Sequence, residues 1–300
     1  MASLRNWMHA IRPRTLPLAL SSILLGSFVA YHDGAFDLSV GILACLTTLF
    51  LQILSNLAND YGDSSHGVDN EARLGPARAV QSGVIRPGRM QAAIALFALL
   101  SLVSGAALIC RGTKGTSLIV PVVFFLLGIS AIAAAIRYTV GRHPYGYIGL
   151  GDVFVFIFFG LAGVMGTYFL HTHTFNPEVF LPAAAMGLLS TGVLNLNNLR
   201  DRENDRQMKK YTLVVIMGFQ KARWYHLFLL AGSVVTGLLY MIINYRSPWQ
   251  MLFLVTIPLL WMNFRAVFNN VLPEELDPCL KKLALTSLLF TLAFGIGLML

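Results

Sequence analysis

Two short stretches gather the acids of this chain at spacings that suit catalysis. The first reads Asn56-Leu-Ala-Asn59-Asp60-Tyr-Gly-Asp63 and continues to Asp69; the second reads Asn195-Leu-Asn197-Asn198-Leu-Arg-Asp201-Arg-Glu-Asn-Asp205. Asn56, Asp60 and Asp63 stand at i, i+4 and i+7, and Asn198, Asp201 and Asp205 at i, i+3 and i+7, so on a helix each set lies on one face. The stretches also match each other, Asn59-Asp60-x-x-Asp63 against Asn197-Asn198-x-x-Asp201, which hints at an internal repeat. Each closes an apolar run. Acids at a helix C-terminus oppose the macrodipole. Solvated loop acids are the plain alternative, but several acids placed there twice, on one face, call for a cation. Hard oxygen donors with room for water and phosphate suit Mg²⁺.

Bases surround both stretches: Arg73, Arg78, Arg86, Arg142, Arg200, Arg206, Lys209 and Lys210. With two metal-binding rows they form an expected diphosphate site, the ion bridging phosphate oxygens and Arg forks holding the remaining charge. A diphosphate head on an apolar tail buried among helices describes a polyprenyl diphosphate.

The elements that position these rows follow from hydropathy. Of the 300 residues 56% are hydrophobic and 12% charged, and mean hydropathy is +0.67. A soluble domain carries about 25% charge, so most of this surface must face lipid. Disorder, coiled coil, collagen and a disulfide-stapled fold are excluded by the same numbers. Nine apolar runs are long enough to span, at 15–31, 37–58, 90–110, 116–137, 151–170, 178–199, 224–244, 248–269 and 283–300. The expected fold is all-α, a single polytopic bundle over residues 1–300. The first run, after a basic lead, reads as a span rather than a cleaved leader, because eight more follow.

With the N-terminus on the cytoplasmic side, 19 Lys and Arg fall in cytoplasmic loops and 3 outside, the asymmetry of the positive-inside rule. That rule also accounts for the net charge of +8 without nucleic acid as a partner. Four spans separate the acidic stretches, so both emerge on the cytoplasmic side. Cys45, Cys110 and Cys279 read as small core residues.

The quoted motifs resemble the UbiA superfamily of intramembrane prenyltransferases, whose signature is an Asn-Asp-x-x-Asp-x-x-x-Asp motif after the second helix and Asp-x-x-x-Asp after the sixth. Asn59-Asp60-x-x-Asp63 and Asp201-x-x-x-Asp205 stand there. Further strings resemble the branch that prenylates 1,4-dihydroxy-2-naphthoate on the way to menaquinone: Gly67-Val-Asp69, Arg73-Leu-Gly-Pro-Ala-Arg78-Ala-Val-Gln-Ser-Gly83, Pro144-Tyr-Gly-Tyr-Ile-Gly-Leu-Gly-Asp152 and Tyr211-Thr-Leu-Val-Val215. The chain departs from the pattern at Gly67, where the last acid of the general motif would fall and an aspartate comes only at Asp69. It departs again at Leu194, at Lys209-Lys210-Tyr211 and at Ile216-Met217.

The resemblance implies a bacterial inner-membrane enzyme with its site facing the cytoplasm. Asp60, Asp63, Asp201 and Asp205 would be catalytic and, with Asn56, would hold Mg²⁺. Arg78, Arg142, Lys210 and Asn197 would bind the diphosphate. The substrates would be polyprenyl diphosphate and 1,4-dihydroxy-2-naphthoate, joined with loss of diphosphate and CO₂. Another aromatic acceptor such as 4-hydroxybenzoate is the alternative within the superfamily. A CDP-alcohol phosphotransferase would need a compact Asp-Gly-x-x-Ala-Arg run that is absent. A transporter would place its charges at mid-membrane.

Some single residues keep two readings. Asp152 is a helix-start acid or part of an acceptor pocket. Tyr138, Tyr145 and Tyr147 shield a cation with their rings or belong to an interfacial belt. His66, His171 and His173 read as ordinary loop residues.

Overall fold

The computed structural model describes residues 3–70, 74–270 and 272–300. Among them, nine helical stretches are long and apolar enough to cross a membrane. They correspond one to one with the apolar runs above.

The chain opens with a short amphipathic helix, α1 (Leu4–Ile11), which Ser3 caps by accepting from the Asn6 amide. Arg12 follows in the left-handed conformation (φ 54°) and turns the chain into α2 (Leu16–His32). Then come α3 (Leu38–Ser65), α4 (Pro87–Gly112) and α5 (Ile119–Arg137). The fifth span is composite: α6 (Gly151–Val155), a π-helical stretch over Phe156–Met165, and α7 (Gly166–Thr172). Next are α8 (Phe180–Gln207), the short α9 (Leu213–Met217) and α10 (Phe219–Ile243). A 3₁₀ stretch over Pro248–Thr256 leads into α11 (Ile257–Phe268), and α12 (Leu276–Met299) closes the bundle. The helices α3 and α8 outrun their apolar segments, so Asn56 to Asp63 and Asn195 to Asp205 are helical, as their spacing requires, while Asp69 lies beyond the end of α3.

The post of the bundle is α8, packed against α10, α12 and the π-helical stretch. Two glycines let it approach the π segment. A Cβ on Gly160 would stand 2.6 Å from the Ala183 carbonyl oxygen, and one on Gly187 would stand 2.7 Å from the Phe156 ring. In lipid, helices associate through such close packing and through buried polar contacts rather than through hydrophobic expulsion. The second device is present as well. Asn195 on α8 donates to His226 Nδ1 (3.3 Å), His226 Nε2 donates to Asn263 Oδ1 (2.9 Å), and Asn263 Nδ2 donates to the Cys279 carbonyl (3.0 Å). Four helices are joined without a charge.

By contrast, α4 and α5 form a thin wall. Leu99, Val103, Val122 and Leu126 are exposed there, the expected lipid face. Cys110 lies exposed on this wall and Cys45 is half-buried, so of the three cysteines Cys279 alone is a core residue. When the solvent is lipid, an apolar neighbourhood does not separate core from surface.

At the end remote from the acidic stretches the polar groups pair neatly. Asp37 caps α3 by accepting from the amides of Ser39 (2.8 Å) and Val40 (3.2 Å), and Arg111 donates to its other oxygen. His171 is buried rather than an ordinary loop residue. Its Nδ1 accepts from the Asp37 amide (3.1 Å), so Nε2 carries the hydrogen and donates to Ser27 Oγ (3.1 Å). The ring stacks on Phe36 and ties α2, α3 and α7 together. His173 is the left-handed residue (φ 56°) that ends α7.

Candidate active site

The ends of α3 and α8 converge. Lys210, just past α8, places Nζ 3.3 Å from both oxygens of Asp63 and 3.9 Å from Asp205. Asn204 also reaches across, donating to the Val68 carbonyl at 2.8 Å. The two carboxylate rows therefore face each other, and the Lys210 ammonium stands between them. Burial opposes the charged form of Lys210, but Asp63, Asp205 and Asp201 outweigh that cost and hold its pKa above the ordinary value.

Each carboxylate has its own supports. Asp60 is buried, and its two oxygens accept from the amides of Ala79 (3.0 Å) and Val80 (2.9 Å). This pins the 74–86 connection onto α3. Asp63 also accepts from the Tyr147 hydroxyl at 2.7 Å. Burial first, and then the charge of Asp63, push that hydroxyl up, so it remains a donor. Asp69 pairs with Arg78 at 3.3 Å, both buried. Asp201 takes a fork from Arg200, Nε at 2.8 Å and Nη2 at 2.7 Å. Arg200 is fully enclosed, and it also donates to Asn197 Oδ1 (2.9 Å) and to Asp277 of α12.

α3 approaches this assembly closely because residue 62 is glycine. A Cβ there would stand 2.4 Å from Thr139 Oγ1 and 2.7 Å from the Thr139 carbonyl carbon. Thr139 Oγ1 donates to the Ala58 carbonyl at 3.1 Å. The turn after α5 thus lies directly on the acidic end of α3 and brings Tyr147 to Asp63.

The donor set fits Mg²⁺. Asp60, Asp63, Asp69, Asp201 and Asp205 offer hard carboxylate oxygen and are all buried. Among the described residues no three His, Cys, Asp or Glu side chains form a closed cage. Mg²⁺ is commonly held by one or two carboxylates together with substrate phosphates, and two facing rows beside bases offer that arrangement.

The model of the UbiA prenyltransferase family matches residues 19–296. The chain belongs to the UbiA prenyltransferase family. Among its relatives, the 1,4-dihydroxy-2-naphthoate octaprenyltransferase of Escherichia coli (strain K12) is 46% identical over 98% of this chain and 95% of its own length. That of Haemophilus influenzae is 44% identical over 99% and 96%. Among solved structures, a UbiA homolog from Aeropyrum pernix K1 superimposes with a TM-score of 0.67 at 18% identity, covering 97% of each chain. A homolog from Archaeoglobus fulgidus bound to GPP and Mg²⁺ gives 0.63 at 18% identity, covering 98% of this chain and all of the other. These last two show the fold. The chain is a multi-pass membrane prenyltransferase.

Within this UbiA-family frame the expected residues separate into groups. Asp60, Asp63, Asp201, Asp205, Arg78 and Lys210 come together, and Asn197 borders them. Asn56 turns elsewhere. Its Nδ2 donates to the Ile11 carbonyl (2.7 Å) and to Thr15 Oγ1 (2.9 Å), and its Oδ1 accepts from Gln52 (3.3 Å). Arg142 is exposed with no ion-pair partner among the described residues, and Arg86, Arg206 and Lys209 are exposed too. Arg73 lies outside the described residues. His66, exposed, places its ring nitrogens 2.8 Å and 3.0 Å from the carbonyls of Gly62 and Gly141, and its ring edge meets Tyr147.

Two cavities adjoin the rows. One, of about 340 Å³, is mostly apolar and runs between α2, α3, α5 and the π segment, with Asn56, Asn59, Tyr138 and Tyr145 at one end. Tyr138 and Tyr145 therefore line a cavity and are not a belt. Tyr145 also stacks on Phe154 with ring centres 4.1 Å apart. Asp152 is buried at the start of α6, and its Oδ1 has no hydrogen-bond partner among the described residues.

The other cavity, of about 400 Å³, is basic: Arg5, His9, Arg12 and Arg14 face Asp60, Arg78 and Asn197 across it. Sequence reasoning counted the N-terminal arginines only as topology signals. The amphipathic spacing of residues 4–11 was the available clue.

Proposed function

We infer that this prenyltransferase moves a polyprenyl chain from polyprenyl diphosphate to 1,4-dihydroxy-2-naphthoate, releasing diphosphate and CO₂ and giving demethylmenaquinol, the reduced form of demethylmenaquinone. The observation that carries the reading is the 44–46% identity, over nearly the full chain, to relatives bearing that activity in their names. The site supports it. Two facing carboxylate rows border a basic pocket on one side and an apolar cavity on the other, the two halves of an allylic diphosphate.

Asp60, Asp63, Asp201 and Asp205 are assigned to Mg²⁺, which when bound supplies Lewis-acid charge to the departing diphosphate. Arg78 and Lys210 add fixed positive charge where the leaving group's negative charge grows. The Tyr138 and Tyr145 faces stand where an allylic cation would develop and stabilise it without trapping it. The aliphatic cavity lining excludes water, which would otherwise capture the cation. The electron-rich ring carbon then bonds to the prenyl carbon, and loss of its carboxylate as CO₂ restores aromaticity. The protein lies in the bacterial inner membrane with this site on the cytoplasmic side.

Carboxyl-labelled naphthoate, supplied to membranes with one prenyl diphosphate, should release labelled CO₂ in step with demethylmenaquinol. Product from 4-hydroxybenzoate with naphthoate left untouched would replace the acceptor and leave the diphosphate site standing. EDTA should stop turnover and Mg²⁺ restore it. Reporters fused after Lys114 and after Lys210 should read opposite sides, the latter cytoplasmic.

A further inference from the structure

The apolar cavity has one wall that is not apolar. On α3, Asn59, Ser55, Gln52 and Thr48 all line it, half-buried. Their spacing of four, three and four residues is that of one helical face. They form a stripe about 16 Å long, from the charged end to the middle of α3. Each keeps hydrogen-bonding capacity unused among the described residues. Ser55 and Thr48 make no side-chain hydrogen bond there. Gln52 donates through Nε2 to Thr15 and Asn56, and Asn59 accepts through Oδ1 from Thr139. Gln52 Oε1 and Asn59 Nδ2 are left over.

Other Ser and Thr hydroxyls on the spanning helices turn back to the carbonyl four residues earlier. Ser21, Ser101, Ser104, Thr236 and Ser287 do so at 2.7–2.9 Å. That bond hides a hydroxyl from an apolar neighbourhood. Ser55 and Thr48 forgo it beside a cavity, where a few polar groups in an apolar lining fix the orientation of a ligand.

Chemistry narrows the occupant. A prenyl tail has no group to meet the stripe. An anion does not suit it either: among the described residues no charged side chain lines this cavity, and an unpaired charge there is costly. The occupant is neutral, apolar over most of its length, and provided with hydroxyls. Successive groups on the stripe rise by about 4.5–6 Å, comparable to the separation of para oxygens on one aromatic ring. Both substrates of the reaction above carry an anionic group. The product has lost diphosphate and carboxylate and carries neither.

We propose that the α3 stripe is a product berth, in which Ser55, Gln52 and Thr48 hold the hydroxyls of the uncharged prenylated 1,4-dihydroxynaphthalene as it withdraws from the charged end toward the middle of the membrane. This rests on the naphthoate reading and adds to it a station that neither substrate uses.

The test uses the full-length protein in nanodiscs, with Ser55→Ala, Thr48→Val and the pair. Neither change removes a hydrogen bond that the fold uses, and Gln52 stays in place because it also holds Thr15 and Asn56. The probe is geranylated 1,4-dihydroxynaphthalene kept reduced; geranylnaphthalene, with the same rings and tail but no hydroxyl, is the control. Binding is read by thermal shift without substrates, and inhibition of turnover gives a second value. The pair should bind the quinol about tenfold more weakly and the control as before, with donor and acceptor KM unchanged.

Unchanged quinol affinity in the pair, with the wild type binding it, would overturn the berth and leave the reaction standing. An equal loss for geranylnaphthalene would signal altered packing and overturn it too. So would a raised acceptor KM with quinol binding intact, which would make the stripe a substrate wall. If the ring itself is wrong, the wild type will neither turn over naphthoate nor bind the quinol, and reading and berth fall together.

Discussion

The two ends of the bundle handle buried polarity in opposite ways. At the remote end Asp37 meets Arg111 and two amides, and His171 lies between Ser27 and an amide. At the other end Asp60, Asp63, Asp69, Asp201 and Asp205 are all buried, and among the described residues Arg78, Arg200 and Lys210 are the buried bases beside them. Gathering buried carboxylates is costly unless cations stand among them, and a fold that gathers five at one end sets that end apart for binding a cation. The contrast marks the working end without reference to any motif.

The sharpest way to break the contrast is to remove a buried base from the crowded end. Arg200→Met takes the guanidinium fork from Asp201 and leaves Asp277 with Arg14 alone, and about 3–5 kcal/mol of stability should be lost, read by thermal unfolding in detergent. Arg111→Met, its counterpart at the paired end, is half-exposed and should cost less than about 1 kcal/mol. Equal losses would dissolve the distinction.

Next in size is the loss of an acid. Asp63→Asn and Asp205→Asn should each slow turnover by about 3–4 kcal/mol of transition-state stabilisation, while the protein still inserts and keeps its melting temperature. Retained rates in both would mean that these carboxylates serve no catalysis.

A smaller effect is expected from Gly62→Ala. The new methyl meets Thr139 at contact distances it cannot keep, and overpacking of this kind costs about 1–3 kcal/mol. Because it pushes Tyr147 away from Asp63, activity should fall more than stability. Rate and melting temperature measured on the same preparation separate the two.

The least change is expected at Asp37. Burial alone would raise its pKa, but the amides of Val40 and Ser39, with Arg111, hold it below the ordinary value. Its contribution is therefore present above the unfolded value of about 4 and lost as pH falls through the folded one. Asp37→Ala should cost about 1 kcal/mol at neutral pH, lose that acid-side dependence, and leave turnover intact.

Local pattern carried much of this to the reader of the sequence. Nine spans follow from apolar length, and the shared faces of Asp60 with Asp63 and of Asp201 with Asp205 follow from helical period. Lys210 was expected beside the phosphates as one of the bases gathered around the two acidic rows. What escaped depends on contacts far apart in the chain. Asn56 looked like the first member of its row, and only the return of residues 11–15 shows its amide engaged there. His171 looked like a loop residue until Ser27 and Asp37 closed on it. Arg142 sits amid the right motifs but points into solvent, since a loop position fixes no direction. Cys110 shows the same limit for apolar residues, where lipid and core are alike to the side chain.

The thin wall has a consequence for how such a protein changes over generations. One face of α5 meets lipid through Val122, Phe125, Leu126 and Ile129, and the other lines the apolar cavity through Phe124, Leu127, Gly128, Ala131 and Ala135. Both faces want apolar residues, and few other helices lean on either. Exchanging one apolar side chain for another at Gly128 or Ala131 alters the room available to a substrate while leaving the α8 post and the charged end untouched. Selection can therefore rework the fit of this cavity by single steps along α5, whereas the same trial on α8 disturbs packing, charge and cavity at once. Descendants of one ancestor would be expected to diverge first along that wall.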